Sequence, residues 1–175
     1  MITREFVQAI PKTDLHVHLD GSLRVPTLIE LAKSRKVALP SQTEAGLMET
    51  VFKKQYRDLP EYLQGFGLTC AVMQDPESLE RVAYEFALDN AAEGVRYVEV
   101  RFAPQLHIND NLDMETVLVS VNKGMERAKK EINAKLTDPD MPPFEYGIIA
   151  CNLRFFLAQS SPYYAKFMEA HAFSK

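Results

Sequence analysis

Thr13 to Ser22 read TDLHVHLDGS, which sets two of the chain's four histidines one residue apart between aspartates. On a strand rising about 3.3 Å per residue, His16 and His18 project from one face about 7 Å apart at the backbone. Two imidazoles so placed can converge on one cation, each through a nitrogen at about 2.0–2.1 Å. Asp20, one step further along that face, is suited to orient a substrate hydroxyl or to support a ligand from behind. A lone strand histidine is more often a core or surface residue than a ligand. The HxH pair, alternating with apolar residues and followed by Asp-Gly, is harder to explain that way. Two ligands still do not make a site, because catalytic zinc takes three protein ligands and one open position. His107 and His171 have no comparable setting, although His107 follows a strand and so lies towards the same end.

The elements that must position these groups follow from periodicity. Residues 3–10 form a short amphipathic helix stopped by Pro11. Residues 13–19 alternate as a strand, with Leu15, Val17 and Leu19 on one face and Asp14, His16, His18 and Asp20 on the other. Gly21 and Ser22 end it, and LRVPTLIELAKSRK is a helix with Leu28, Leu31 and Ala32 as its apolar stripe. A polar segment with Pro40 and Gly46 follows. DLPEYLQGFGLTCAVM is helical from Pro60, with Asp58 as cap. DPESLERVAYEFALDNAAEG is a helix capped by Asp75, started by Pro76 and ended by Gly94. VRYVEVRFAP is the second strand, with Val95, Tyr97, Glu99 and Arg101 opposite Val98, Val100 and Phe102. DMETVLVSVNKGMERAKKEINAK is a helix, FEYGIIACNLRFF the third strand, and SPYYAKFMEAH the start of another helix. Strands separated by helices imply parallel pairing in an α/β fold, as a barrel or an open sheet with long connections. Glu99, Arg101 and Arg154 are charges on strands that should be largely buried, so an ion-pair cluster is expected near the mouth. Exposed strand ends are the alternative, above all for Arg154.

The 175 residues carry 46% hydrophobic and 25% charged side chains and a net charge of −4, the composition of a globular chain with a real core. That mild acidity argues against a nucleic-acid partner. No apolar run reaches the roughly 18 residues needed to span a bilayer, and the N-terminus lacks a signal-type apolar region, so a cytoplasmic protein without membrane contact is expected. Cys70 and Cys151 are read as buried thiols in a reducing compartment. Nothing in the pattern specifies an oligomeric state.

PKTDLHVHLDGSLRVPTLIELAKSRKVALP resembles the opening of adenosine deaminases, within the wider group of metal-dependent amidohydrolase barrels. LPEYLQGF is similar to the family's gate helix, AYEFALDNAAEGVRYVEVRFAPQL to its second strand with the preceding helix, and IIACNLRFF to its third strand. The resemblance implies an α/β chain forming the N-terminal portion of a (β/α)₈ TIM-type barrel, with residues 1–175 as one domain. It implies zinc as cofactor, held in part by His16 and His18, and a purine nucleoside as small-molecule substrate. Asp20 matches the aspartate that contacts the ribose 5′-hydroxyl. Leu59, Tyr62, Leu63 and Phe66 match the apolar lid, and Leu153 matches a residue of the purine pocket. By pattern alone, residues 59–66 would be a core-facing helix stripe and Leu153 a buried strand residue. The implied reaction is hydrolytic deamination of adenosine to inosine and ammonia.

This chain departs from the family in extent. Neither the HAGE segment nor the NTDDP pair of adenosine deaminases occurs in the sequence. The third zinc histidine and the histidine that assists the attacking hydroxide are likewise unmatched. The catalytic proton-transfer residues are therefore expected beyond Lys175, in a longer enzyme of which this chain is a portion, and the 175 residues alone are expected to be inactive. A related purine substrate, another amidohydrolase reaction, or an inactive half-barrel are the alternatives.

Overall fold

The computed structural model describes residues 2–154 and 161–170. Its elements run α1 (Arg4–Ala9), β1 (Lys12–His18), α2 (Val25–Arg35), α3 (Glu44–Thr50), α4 (Leu59–Val72), α5 (Pro76–Ala92), β2 (Val95–Phe102), α6 (Met114–Ala134), β3 (Glu145–Ala150) and α7 (Pro162–Ala170). The three strands form one parallel sheet in the order β1-β2-β3. The architecture is the expected α/β type with parallel strands joined by helical crossovers.

Local chemistry sets the helix boundaries. Asp58, Asp75 and Asp113 each accept a hydrogen bond from the backbone N–H three residues on, at Glu61, Ser78 and Thr116. Such caps satisfy donors that the first helical turn leaves free. Helix α3 lies in the segment read above as merely polar. Thr43 caps it through the Gly46 N–H at 3.2 Å, and Leu47 is fully buried beneath it. One buried leucine in seven residues is too little periodicity to reveal a helix in the sequence. Strand β3 ends at Ala150, so Cys151 to Arg154 lie past it; Phe155, Phe156 and His171 fall outside the described residues.

One face of the sheet is dry. Val98, Val100 and Phe102 of β2 are buried with Val82, Ala83 and Phe86 of α5 and Val117, Val121 and Met125 of α6. Each such valine, phenylalanine or methionine side chain contributes about 1.5–3 kcal/mol by leaving water. The two helices cross closely at Gly124. A Cβ there would stand 2.2 Å from the Glu80 carbonyl oxygen and 2.9 Å from the Ala83 Cβ. The other face carries Tyr97, Glu99 and Arg101 of β2, all half-buried, beside the exposed Leu15, His16 and His18 of β1.

The β1 alternation is not the simple one read from the sequence. Asp14 pairs with Val98, whereas Val17 pairs with Val100. Leu15 and His16 together therefore stand opposite Glu99, which defines a bulge. Asp14 is half-buried on the core side and Leu15 is 54% exposed, the reverse of their expected faces. His107 is fully buried beneath the sheet's carboxyl end, with Nδ1 2.9 Å from the Met73 carbonyl oxygen and Nε2 without a partner.

Two measurements check this packing. Gly124→Ala should lower the unfolding free energy by about 1–3 kcal/mol in urea titrations, because the added methyl meets backbone rather than a movable side chain. Burial pushes His107 down to about 4 against a carbonyl bond that opposes the shift. The unfolded chain therefore takes up this proton first. Stability should fall as pH drops from about 6.5 to about 4, by up to about 3 kcal/mol, with the loss flattened in His107→Gln.

Candidate functional site

The carboxyl end of β1 is built from its last residues and the turn that follows. The ladder extends one step past the strand, where the Leu19 N–H donates to the Arg101 carbonyl at 2.9 Å. The Ser22 hydroxyl then donates to the His18 carbonyl at 2.6 Å and closes the turn. Arg24 ties that turn to α5 through a two-pronged ion pair with Asp89, at 2.6 Å and 2.9 Å. Leu19 and Asp20 are both buried, so the chain enters the protein immediately after two exposed histidines.

The His16 and His18 rings lie 5.7 Å apart, tilted by 40°. Two imidazoles sharing one ion through nitrogens at 2.0–2.1 Å would have ring centres roughly 5–6 Å apart. The pair therefore fits two positions of a metal's coordination shell. Among the described residues, no group of three or more His, Cys, Asp or Glu side chains converges as a complete metal site. Asp20 is 5% exposed, and its Oδ1 is buried without a hydrogen-bond partner, 3.7 Å from His18 Nδ1. Burial raises its carboxyl above the ordinary range, while His18 opposes the shift. A buried acceptor left unpaired is costly in a fold and useful for a ligand hydroxyl.

Helix α4 reaches the histidines through Phe66. Its ring lies edge-on to His18 at 6.2 Å, then to Tyr62 at 5.6 Å, and Tyr62 meets Tyr56 at 5.1 Å. Gly21 permits the approach, since a Cβ there would stand 3.0 Å from the Phe66 ring. Leu59, Tyr62 and Leu63 are 65%, 45% and 49% exposed, which corrects the core-stripe alternative for this helix. The buried side of α4 is instead Gly65, Thr69 and Val72. Leu153 lies past the end of β3, 39% exposed, and is not a buried strand residue.

Two features escaped sequence reasoning. Buried Gln105 accepts from the Leu153 N–H and donates to Asn152 Oδ1, each at 2.9 Å, joining the ends of β2 and β3. Its only signal was an amide directly after a strand. The ion-pair cluster expected at Glu99 and Arg101 is absent among the described residues. Glu99 accepts from the Tyr97 hydroxyl at 3.1 Å, and Arg101 donates to the Leu15 carbonyl at 3.2 Å. Both residues lie on the sheet's half-wet face, where hydration relieves the demand for a counter-charge at Glu99, while Arg101 Nε is buried without a hydrogen-bond partner. Arg154 is exposed. Cys70, half-buried on α4, is pushed up to about 12 by burial and by the Asp20 charge; it and Cys151 are free.

Asp20→Asn should raise the thermal midpoint by a few degrees, equivalent to about 1 kcal/mol, because it removes a buried charge with an unpaired oxygen. An unchanged or lowered midpoint in differential scanning calorimetry would show that Asp20 is structurally satisfied.

Comparison with known proteins places this geometry in a family. The adenosine deaminase family model matches residues 11–140. The adenosine deaminase of Vibrio atlanticus (strain LGP32) is 44% identical over 127 residues, which cover 73% of this chain and 38% of that protein. The adenosine deaminase of Clostridium botulinum (strain 657 / Type Ba4) is 43% identical, over 72% of this chain and 38% of its own length. The chain thus spans well under half of the curated relatives it matches. Among solved structures, Arabidopsis ADAL complexed with GMP has a TM-score of 0.66 at 25% identity, covering 94% of this chain and 48% of that one. An amidohydrolase from Burkholderia ambifaria with bound Zn has a TM-score of 0.68 at 21% identity, covering 98% and 43%. With three quarters of its length inside the family model, the chain belongs to the adenosine deaminase family.

Proposed function

We propose that this chain carries the N-terminal part of the site of a zinc-dependent hydrolase that deaminates adenosine to inosine and ammonia, with residues 1–175 forming one unit of a (β/α)₈ barrel. The carrying observation is the exposed His16–His18 pair at the carboxyl end of β1, beside the buried carboxyl group of Asp20 with its unpaired oxygen. Active sites of parallel barrels lie at that end. The 43–44% identity to curated adenosine deaminases supports the substrate.

In this reading His16 and His18 hold the metal from one side. When bound, zinc lowers the pKa of water at the site towards about 7. Asp20 accepts a hydrogen bond from the ribose 5′-hydroxyl, a group that pairs its orphaned oxygen. Phe66 and Tyr62, with Leu59, Leu63 and Leu153, form an apolar wall that excludes water from the purine. The third metal ligand and the groups that move protons on the purine belong to family motifs that these 175 residues do not include. The free thiols of Cys70 and Cys151 support a cytoplasmic setting. Among the described residues, no helix is long and apolar enough to cross a membrane.

A purine nucleotide is the second reading, because solved ADAL structures carry GMP or IMP. Asp20 weighs against it, since a phosphate at the 5′ position would meet a like charge. In the full-length protein, His16→Ala should abolish both bound zinc and the fall in absorbance that accompanies adenosine deamination. Full zinc stoichiometry in the variant would overturn the ligand assignment. Faster turnover of adenosine monophosphate than of adenosine would favour the nucleotide.

A further inference from the structure

The β1 bulge decides where the histidines point. Pairing that continued from Asp14 and Val98 without interruption would set His16 opposite Val100 and His18 opposite Phe102. Both partners are buried in the core, at 0% and 1% exposure. The imidazoles would then enter the dry side, because a one-residue slip exchanges the faces of a strand. The bulge restores parity. Val17 takes the place opposite Val100, and His18 stands opposite Arg101 on the open face.

A bulge interrupts the ladder and frees backbone groups, which need other partners. Here both are supplied by side chains. Asp14 Oδ1 accepts from the His16 N–H at 3.2 Å. Arg101 Nη2 donates to the Leu15 carbonyl at 3.2 Å, across 86 residues of sequence. The peptide between Leu15 and His16 is thus held at its carbonyl by β2 and at its N–H by β1 itself. Arg101 also stands in register with His18.

We propose that Asp14 and Arg101 are positioning residues which clamp the β1 bulge and so aim His16 and His18 at a shared cation. The proposal rests on the metal reading above but concerns residues that touch neither metal nor substrate. In this role Arg101 works through one guanidinium N–H, and Asp14 through one carboxyl oxygen. Asparagine can replace the second; lysine replaces the first in part.

The test uses two readouts on the full-length protein. Amide hydrogen exchange reads the clamp without metal: the His16 N–H should exchange about tenfold or more faster in Asp14→Ala than in the parent or in Asp14→Asn. Titration with Zn²⁺ alone, against a chromophoric chelator, reads its use. Affinity should fall about 10–100-fold in Asp14→Ala and Arg101→Ala, recover in Asp14→Asn and in part in Arg101→Lys, with thermal midpoints little changed. Binding that depends on His16 yet is equal in the parent, Asp14→Ala and Arg101→Ala overturns the clamp and leaves the metal reading standing. Binding that survives His16→Ala, or is absent from the parent, overturns the metal reading and the proposed use of the clamp with it. Unchanged His16 exchange in Asp14→Ala overturns the clamp on structural grounds alone. Should Arg101→Ala fail to fold, the Asp14→Ala and Asp14→Asn pair decides between these outcomes.

Discussion

The pairing of β1 with β2 is the constraint on which the rest of this structure depends. Every side chain at the carboxyl end of β1 takes its direction from that register. Val17 closes the core beside Val100, Leu19 is sealed under the turn, and His18 is left in water beside Arg101. The same backbone run that completes an apolar layer therefore displays two imidazoles, and the irregularity opposite Glu99 reconciles the two demands.

Strand direction is useful only if the sheet cannot shift, and the dry face supplies that stiffness. Helices α5 and α6 cross at Gly124 with backbone close against backbone, and they seal Val98, Val100 and Phe102 beneath them. Close packing of this kind leaves few alternative arrangements. The opposite face is half-wet and carries the ionisable groups. Function and stability are thus divided between the two sides of one three-stranded sheet. Asp20 sits at the seam, buried like a core residue and chemically unlike one.

Much of the fold was legible because the signals were local. Asp58 and Asp75 announced helix starts, Gly94 with φ +84° marked the turn into β2, and alternation in VRYVEVRF separated its two faces from Tyr97 onward, whereas Val95, expected beside Tyr97, is buried in the core. Helix α3 was not legible, since one buried leucine makes no period. The lid residues of α4 were assigned by resemblance, whereas pattern alone favoured a core stripe. Their exposure agrees with a surface role, and only Phe66 and Tyr62 enter the aromatic chain that leads to His18.

The sequence by itself determined which residues could do chemistry: two histidines at strand spacing, an aspartate two positions on, and flanking motifs specific enough to indicate a family. Residue type and short-range periodicity carry that information. Tertiary structure alone decided the faces of Asp14 and Leu15, the partners of Glu99 and Arg101, and the bridge made by Gln105. These depend on register between strands about fifty to eighty residues apart. Alternation within one strand cannot report a bulge, because a bulge exists only relative to the neighbour that it fails to match.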